Sequence, residues 1–263
     1  MSNQSSAFTL ITGANSGIGL ELARQAAADG RNVVLVARNE STLESAANEL
    51  KQRVSVHAVA EDLSQPGAAQ RVFQRVGALN INVDCLINNA GLGDYGPFFK
   101  SDLAKQESII GVNITALTVL TRLFLPAMVE QGRGNILNVA SVAGFMPGPL
   151  MSVYFASKNY VLAFSEALME ELRGTGVKMT VLCPPAVRTN FSQTARTASA
   201  NYMSTTKTTP AEVARYGYRM MQQGKTVAVY GSPYKLVTGL LVRFVPRFAL
   251  RRLIHRANAR GSY

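Results

Sequence analysis

Short apolar runs bounded by turn residues alternate along the chain with longer segments whose apolar positions recur at helical spacing. The runs at 8–12, 32–37, 54–60, 83–90, 135–140, 177–183 and 226–230 read as seven strands. Between them the spacing predicts helices from the first strand to about residue 29 and over 40–52, 66–78, 103–130, 152–173 and 210–223. The strand runs are nearly continuous in Val, Ile and Leu. That pattern belongs to strands buried on both faces, hence to a parallel sheet covered by helices on both sides. Strand and helix alternate from residue 8 to residue 230, which predicts an α/β fold with one doubly wound, seven-stranded sheet. The main domain is expected over 1–232, followed by a helical extension over 233–263. The longest stretch without a period, 190–209, is rich in Ser, Thr and Ala and is expected to be a lid loop over a substrate.

Composition narrows the class. With 263 residues, 47% hydrophobic and 16% charged, the chain can bury a sizeable core and is too apolar for a disordered protein. Cys85 and Cys183 both lie in apolar runs and make no disulfide framework, which predicts buried thiols in a reducing, cytoplasmic setting. With His57 and His255 as the only histidines, no metal site is expected. The N-terminal MSNQSSAF has neither a basic nor an apolar region, so no secretory signal is expected. No stretch of about 18 residues is apolar throughout and free of charge, so no membrane span is expected either.

The formal net charge of +11 is unevenly placed: residues 213–263 carry ten Lys and Arg and no acid. Such asymmetry points to an anionic surface as partner. Pro246 can start a helix in which Leu250, Leu253, Ile254 and Ala257 form an apolar stripe, edged by Arg252, Arg256 and Arg260 and by Arg247 and Arg251. Two readings remain open. In one, 235–260 lies peripherally on an anionic membrane. In the other, the stripe docks on the domain or a second subunit and the arginines are solvated. No nucleic acid is expected, because stacking aromatics beyond Phe244 and Phe248 and a recognition motif are lacking.

The first strand runs into Thr12-Gly13-Ala14-Asn15-Ser16-Gly17-Ile18-Gly19 and then a helix. Glycines allow a tight turn and close approach to a pyrophosphate, and the helix N-terminus offers free N–H groups; an ordinary Gly-rich turn would look the same. This is the context of a Rossmann-type dinucleotide site. The second strand ends Val36-Ala37-Arg38-Asn39. An acid that would bond a ribose 2′-hydroxyl is absent and a guanidinium is present, which suits the 2′-phosphate of NADP(H). The other reading of Arg38 is a solvated charge at a helix entry.

Tyr154 and Lys158 begin a predicted helix at i, i+4 spacing, which puts both side chains on one face. An ammonium beside a phenol favours the phenolate and lets Tyr154 exchange a proton with a substrate oxygen near neutral pH. Ser141 lies thirteen residues upstream, just past the fifth strand, at the edge where doubly wound sheets bind ligands. Its hydroxyl can polarise a carbonyl oxygen.

Taken in order, Thr12-Gly13-x3-Gly17-x-Gly19, Asp62-Leu63, Asn88-Asn89-Ala90-Gly91, Asn113, Ser141, Tyr154-x3-Lys158 and Pro184…Thr189 resemble the short-chain dehydrogenase/reductase family over most of the chain. The resemblance implies that Tyr154 is the acid/base, Lys158 lowers its pKa and bonds the nicotinamide ribose, Ser141 positions the carbonyl and Asn113 holds a water in a proton relay. It further implies that Gly13, Asn15, Ser16, Gly17, Ile18, Gly19, Arg38 and Asn39 bind the cofactor. Asp62 and Leu63 would flank the adenine, Asn89, Ala90 and Gly91 would pack on the ribose, and Pro184, Val187 and Thr189 would lie by the nicotinamide. One departure is Pro184-Pro185, where the family has Pro-Gly; proline fixes φ and removes an N–H, so the loop carrying Val187 and Thr189 is expected to be affected.

The stretches 35–39 and 91–96 and the Pro-Arg-Phe of the tail look like the NADPH-preferring 3-oxoacyl and steroid carbonyl reductases. The implied activity is NADPH-dependent reduction of a ketone on a small-molecule, apolar or acyl-type carbonyl substrate, by a homo-oligomer (dimer or tetramer). The alternative is a non-catalytic NADP(H)-binding membrane-associated or scaffold protein on the same fold.

Overall fold

Seven strands align in parallel in the order β3-β2-β1-β4-β5-β6-β7. The computed structural model describes residues 7–196 and 207–259. The strands are β1 (Ala7–Thr12), β2 (Asn32–Ala37), β3 (Val56–Ala60), β4 (Asn82–Asn88), β5 (Gly134–Val139), β6 (Val177–Cys183) and β7 (Val227–Val229). Helices α1 (Gly17–Ala28), α2 (Glu40–Leu50), α3 (Ala68–Gly77), α4 (Leu103–Glu130), α5 (Ser152–Glu171) and α7 (Pro210–Gln222) make the crossovers. A short α6 (Asn190–Thr194) lies between β6 and α7.

Successive strand residues feed two different cores, which is why the runs are nearly continuously apolar. Ile11, Leu35, Ile87, Leu137 and Leu182 meet Leu22 of α1, Leu43 of α2 and Val213 and Met221 of α7. On the opposite face Leu10, Val34, Leu86 and Ile136 meet Val72 of α3, Leu120, Phe124 and Met128 of α4, and Leu168 of α5. Each fully buried aliphatic side chain contributes about 1.5–3 kcal/mol.

The expected elements form within about two residues of their predicted ends. β3 starts at Val56 because residues 51–54 close the end of α2, where the Val54 N–H donates to the Leu50 carbonyl. β4 stops at Asn88 because the next two N–H groups turn away from the sheet. Within the expected loop 190–209 the chain forms α6, and 197–206 lie outside the described residues. By length and composition α4 could cross a membrane, with mean hydropathy 1.7 over its most apolar window, although Lys105, Glu107 and Arg122 interrupt the helix. Its position explains the composition: Leu117, Leu120, Phe124 and Met128 are buried inside the domain.

The extension begins with α8 (Ser232–Leu236), continues through a wider helical turn to Phe244, and breaks at Pro246 before α9 (Arg247–Asn258). The apolar stripe is narrower than the sequence suggests. Leu250, Ile254 and Asn258, an i, i+4, i+8 row, face the domain, whereas Leu253 and Ala257 stay exposed and Arg260 lies outside the described residues. Leu250 and Ile254 join Met146, Met151, Phe155 and Tyr95 in one apolar cluster. The Asn258 amide donates to the Pro149 carbonyl at 2.9 Å, and the Tyr95 hydroxyl donates to the Asn258 carbonyl at 2.8 Å. The inner face of α9 is therefore a packing element.

Strand order reverses between β1 and β4, so the chain leaves the two strands in opposite directions and a crevice opens at their carboxyl ends. One side chain spans it. The buried Thr12 hydroxyl accepts the backbone N–H groups of Asn89 and Ala90, both at 3.0 Å. Leaving such donors unsatisfied costs about 1–3 kcal/mol each. Thr12→Val is expected to lower the thermal midpoint by several degrees, and Thr12→Ser to restore most of it, read by calorimetry.

Candidate active site

The glycine turn follows from backbone geometry. Gly13 and Gly17 have φ of +65° and +56°, a region costly for any side chain. A Cβ at Gly19 would run into the Gly13 carbonyl oxygen. The Gly13 N–H donates to Val36 O at 2.8 Å, and the Asn89 side chain donates to the Thr12 and Gly13 carbonyls at 2.9 and 3.3 Å. The start of α1 is thereby fixed at the crevice. Ser16 occupies its N-cap position without a side-chain cap bond, and Ile18 packs inward against the core. Asn15 donates to the Thr42 hydroxyl of α2 at 2.9 Å.

To one side, at the ends of β2 and β3, Arg38 is 68% exposed and its Nη1 stands 3.9 Å from Asp62 Oδ2, too far for a hydrogen bond. The other Asp62 oxygen accepts the Ser64 N–H and hydroxyl at 3.0 and 2.8 Å. Asn39 is committed as the N-cap of α2, accepting the Thr42 N–H at 3.0 Å. Leu63 is buried in the core.

On the other side of the crevice, Ser141 caps a tight turn at the end of β5, accepting the Ala143 N–H at 3.1 Å, and its hydroxyl points at Pro184 O at 3.4 Å. Tyr154 and Lys158 lie one turn apart at the start of α5. The Lys158 ammonium is buried, donates to the Val139 carbonyl at 2.8 Å, and stands 5.9 Å from the Tyr154 ring centre. Burial pulls its pKa down to about 8. Gly91 lies against both Lys158 Nζ and Asn113 Oδ1.

Asn113 sits in a π-helical turn, Gly111–Ala116, inside α4. The widened turn aims its amide inward. The amide exchanges hydrogen bonds with the Leu92 N–H and carbonyl at 2.8 and 2.9 Å, and donates to the Ser157 hydroxyl at 2.8 Å. Ser157 donates in turn to the Tyr154 carbonyl at 2.7 Å. Asn113 thus braces the segment after β4 against the helix that carries Tyr154 and Lys158.

The segment after β6 divides the residues expected there. Pro184 uses its carbonyl on the Val142 N–H at 3.0 Å, Val187 is buried in the core, and Thr189 lies against Gly17. The structure therefore gathers Gly13–Gly19, Asn89–Gly91 and Thr189 around one crevice and Asn113, Tyr154 and Lys158 beside it. Val187, Leu63 and Asn39 have local packing or capping duties of their own.

Five further residues near the site have no local signal in the sequence. The Phe191 ring lies 5.4 Å from the Tyr154 ring and against Gly93. Its helix is held by Asp94, a buried carboxylate that pairs with Lys105 at 2.9 Å and Arg196 at 2.8 Å and accepts from Gln106 at 3.0 Å. Burial raises the Asp94 pKa, but the hydrogen bonds from Lys105 and Arg196 outweigh it and hold the carboxyl below its usual range. Lys105 also reaches the Thr194 carbonyl at 3.3 Å. Arg196 is 102 residues from Asp94 in sequence, which is why no spacing rule finds the pair.

Comparison with known proteins fits this geometry. The family model for short chain dehydrogenases matches residues 7–200. The chain belongs to the short-chain dehydrogenase family. It is 38% identical over 176 residues to the ketoacyl reductase HetN of Nostoc, 66% of this chain and 61% of that protein. Sulfoacetaldehyde reductase 2 of Chromohalobacter salexigens is 40% identical over 187 residues, 70% of this chain and 74% of the relative. The human very-long-chain 3-oxoacyl-CoA reductase is 31% identical over 192 residues, 71% of this chain and 61% of that enzyme. The chain thus matches about three fifths of the length of two of these relatives. A Sphingobium yanoikuyae short-chain dehydrogenase solved with NADPH superposes with TM-score 0.81 at 29% identity, over 98% of each chain. A Burkholderia phymatum member solved with NAD superposes at 0.80 and 25% identity, over 100% of this chain and 99% of that one.

The Asp94 cluster fastens α6 to the domain. Asp94→Asn is expected to raise amide hydrogen exchange over residues 190–196 about tenfold while leaving the central strands protected, as measured by mass spectrometry.

Proposed function

We propose that this short-chain oxidoreductase is an NADPH-dependent carbonyl reductase acting on an apolar or acyl-type ketone. The observation that carries the reading is the buried Lys158 ammonium, anchored on the Val139 carbonyl one helical turn from Tyr154 and beside Gly91. Desolvating an ammonium is costly, and a buried lysine with a lowered pKa beside a crevice marks a candidate functional group.

The residues present fit a phosphorylated nicotinamide dinucleotide. The side-chain-free cradle at Gly13, Gly17 and Gly19 admits a pyrophosphate to the start of α1, with Asn15 and Ser16 at its rim. Arg38 makes no close ion pair among the described residues and is open to a 2′-phosphate, with Asn39 beside it. Asp62 and Leu63 flank the adenine side, Asn89, Ala90 and Gly91 the ribose, and Pro184, Val187 and Thr189 the nicotinamide side of the crevice. Bound there, the cofactor supplies a hydride.

The chain itself handles the proton and the geometry. Ser141 donates to the carbonyl oxygen, and Tyr154 delivers the proton to that oxygen as the carbonyl carbon is reduced. The Lys158 ammonium stabilises the phenolate left behind, and Asn113 fixes the distance between α5 and the segment after β4 and holds the relay water. Apolar walls formed by Phe191, Phe155, Met151 and Tyr95 favour an apolar substrate. The names of the ketoacyl and 3-oxoacyl-CoA reductases support an acyl chain. In the same reading α6 and α9 cover the cleft, a second copy covers the exposed Ile110 and Val129 of α4, and the protein is peripheral to an anionic membrane through 235–260.

Three measurements test the reading. With a ketone panel and NADPH, Tyr154→Phe is expected to lose turnover by about 10²–10⁴-fold while retaining NADPH binding. Undiminished turnover would overturn the roles, and NADPH binding without wild-type turnover would favour the non-catalytic alternative. Arg38→Asp is expected to shift the NADPH-to-NADH preference by at least about tenfold toward NADH, because a charge-assisted contact to phosphate is lost and a repulsion added.

The third is a pH profile. Lys158 titrates at about 8 in the folded chain and at 10.5 ordinarily. Its ammonium is present below the lower value and lost above it, so kcat for reduction is expected to fall as pH rises through about 8. Stability runs the other way for this group: between about 8 and 10.5 the unfolded chain binds more protons, so its contribution favours folding more as pH rises.

A further inference from the structure

The outward side of the extension is unlike the rest of the surface. Phe244 is 79% exposed, Phe248 57%, Leu253 53% and Leu236 56%. Lys235, Arg247, Arg251, Arg252, His255 and Arg256 surround them, all exposed. No acid follows Glu212 in the sequence, so the bases meet no local counter-charge. A concavity of about 400 Å³ opens between Pro149 and the side chains of Phe248, Arg251, Arg252, His255 and Arg256. A second exposed apolar group, Phe98, Phe99 and Leu103, begins three residues after Tyr95, whose hydroxyl holds the end of α9.

Large apolar side chains in water are unfavourable at about 25 cal/mol per Å². Grouped among bases that form no ion pair among the described residues, they match a partner that is apolar beneath and anionic on top. Nucleic acid offers the charge without the apolar layer, and an ordinary protein surface offers no such excess of negative charge. We propose that this face docks on an anionic phospholipid bilayer, with Phe244, Phe248 and Leu253 entering the acyl boundary and Arg251, Arg252 and Arg256 on the phosphates.

The assignment differs from the amphipathic stripe legible in the sequence. Leu250 and Ile254 are already spent on Met146, Met151 and Phe155, so the inserting set is the outer one. That inner cluster includes Tyr154, which puts the docking face at the rim of the candidate cleft. An apolar substrate then passes from the bilayer to the cleft without crossing bulk water. This last point rests on the proposed reductase activity; the docking does not.

The chain has no tryptophan, so Phe248→Trp supplies a single fluorophore at the contact. Vesicles of phosphatidylcholine alone and with about 30 mol% phosphatidylserine, at about 0.15 M salt, are the probes. The expected result is a blue-shifted emission and co-sedimentation with the serine-containing vesicles only. Arg252→Gln with Arg256→Gln is expected to weaken binding about 25-fold, roughly fivefold per arginine. Phe244→Ser is expected to weaken it as well, with an unchanged thermal midpoint.

No shift and no co-sedimentation would overturn the proposal. So would salt-sensitive binding to duplex DNA in place of vesicles, or a dimer that Phe244→Ser converts to monomer while wild type ignores vesicles. Ketone turnover is measured in parallel. Vesicle binding without turnover leaves the docking standing and removes the reductase reading, and turnover without vesicle binding does the reverse.

Discussion

The reversal of strand order between β1 and β4 governs the rest of the molecule. Two parallel strands whose chains depart to opposite sides must leave a gap at their carboxyl ends, and the backbone N–H groups at that gap need partners. Thr12 provides one oxygen for two of them, and Asn89 returns its amide to the carbonyls of Thr12 and Gly13. The crevice is thus rigid without being filled. Its glycines leave room where side chains elsewhere would close it, and the start of α1 is held facing that space.

Electrostatics on the neighbouring wall depends on burial. Lys158 is out of water with one carbonyl hydrogen bond, so its charge acts at short range through a medium of low polarisability. The position of that charge is not set by α5 alone. Asn113, aimed by the π-turn of α4, ties the segment after β4 to Ser157 and so to the first turn of α5. Two crossovers, β4 to β5 and β5 to β6, are registered against one another by a single amide.

Two elements pack beside this region, and they are fastened differently. α6 is held by charge, through Asp94 with Lys105 and Arg196, where the buried carboxylate is stabilised by partners that are themselves partly in water. α9 is held by apolar contact through Leu250 and Ile254, with Asn258 and Tyr95 closing its far end. Leu150 bridges the second arrangement: its φ of +68° is unfavourable for a side chain, and it is kept by the Gly96 N–H on its carbonyl and by Asn258 on the carbonyl before it.

The sheet, its helices and the order of the chemical groups were legible in the sequence, because they rest on local periodicity. Nearly continuous Val, Ile and Leu along the strands mean two buried faces, glycines after a strand mean a backbone that must turn tightly, and Tyr154 and Lys158 four residues apart on a helix must share a face. Other features had no local signature. That Asn39 also caps α2 and that Val187 also packs into the core could not be read locally, since capping and burial depend on what folds against them. The Asp94–Arg196 pair, the Phe191 cover and the choice of which face of α9 turns inward join residues far apart in the chain. Such contacts are fixed by the shape of the assembled surface, so only the tertiary structure could decide them.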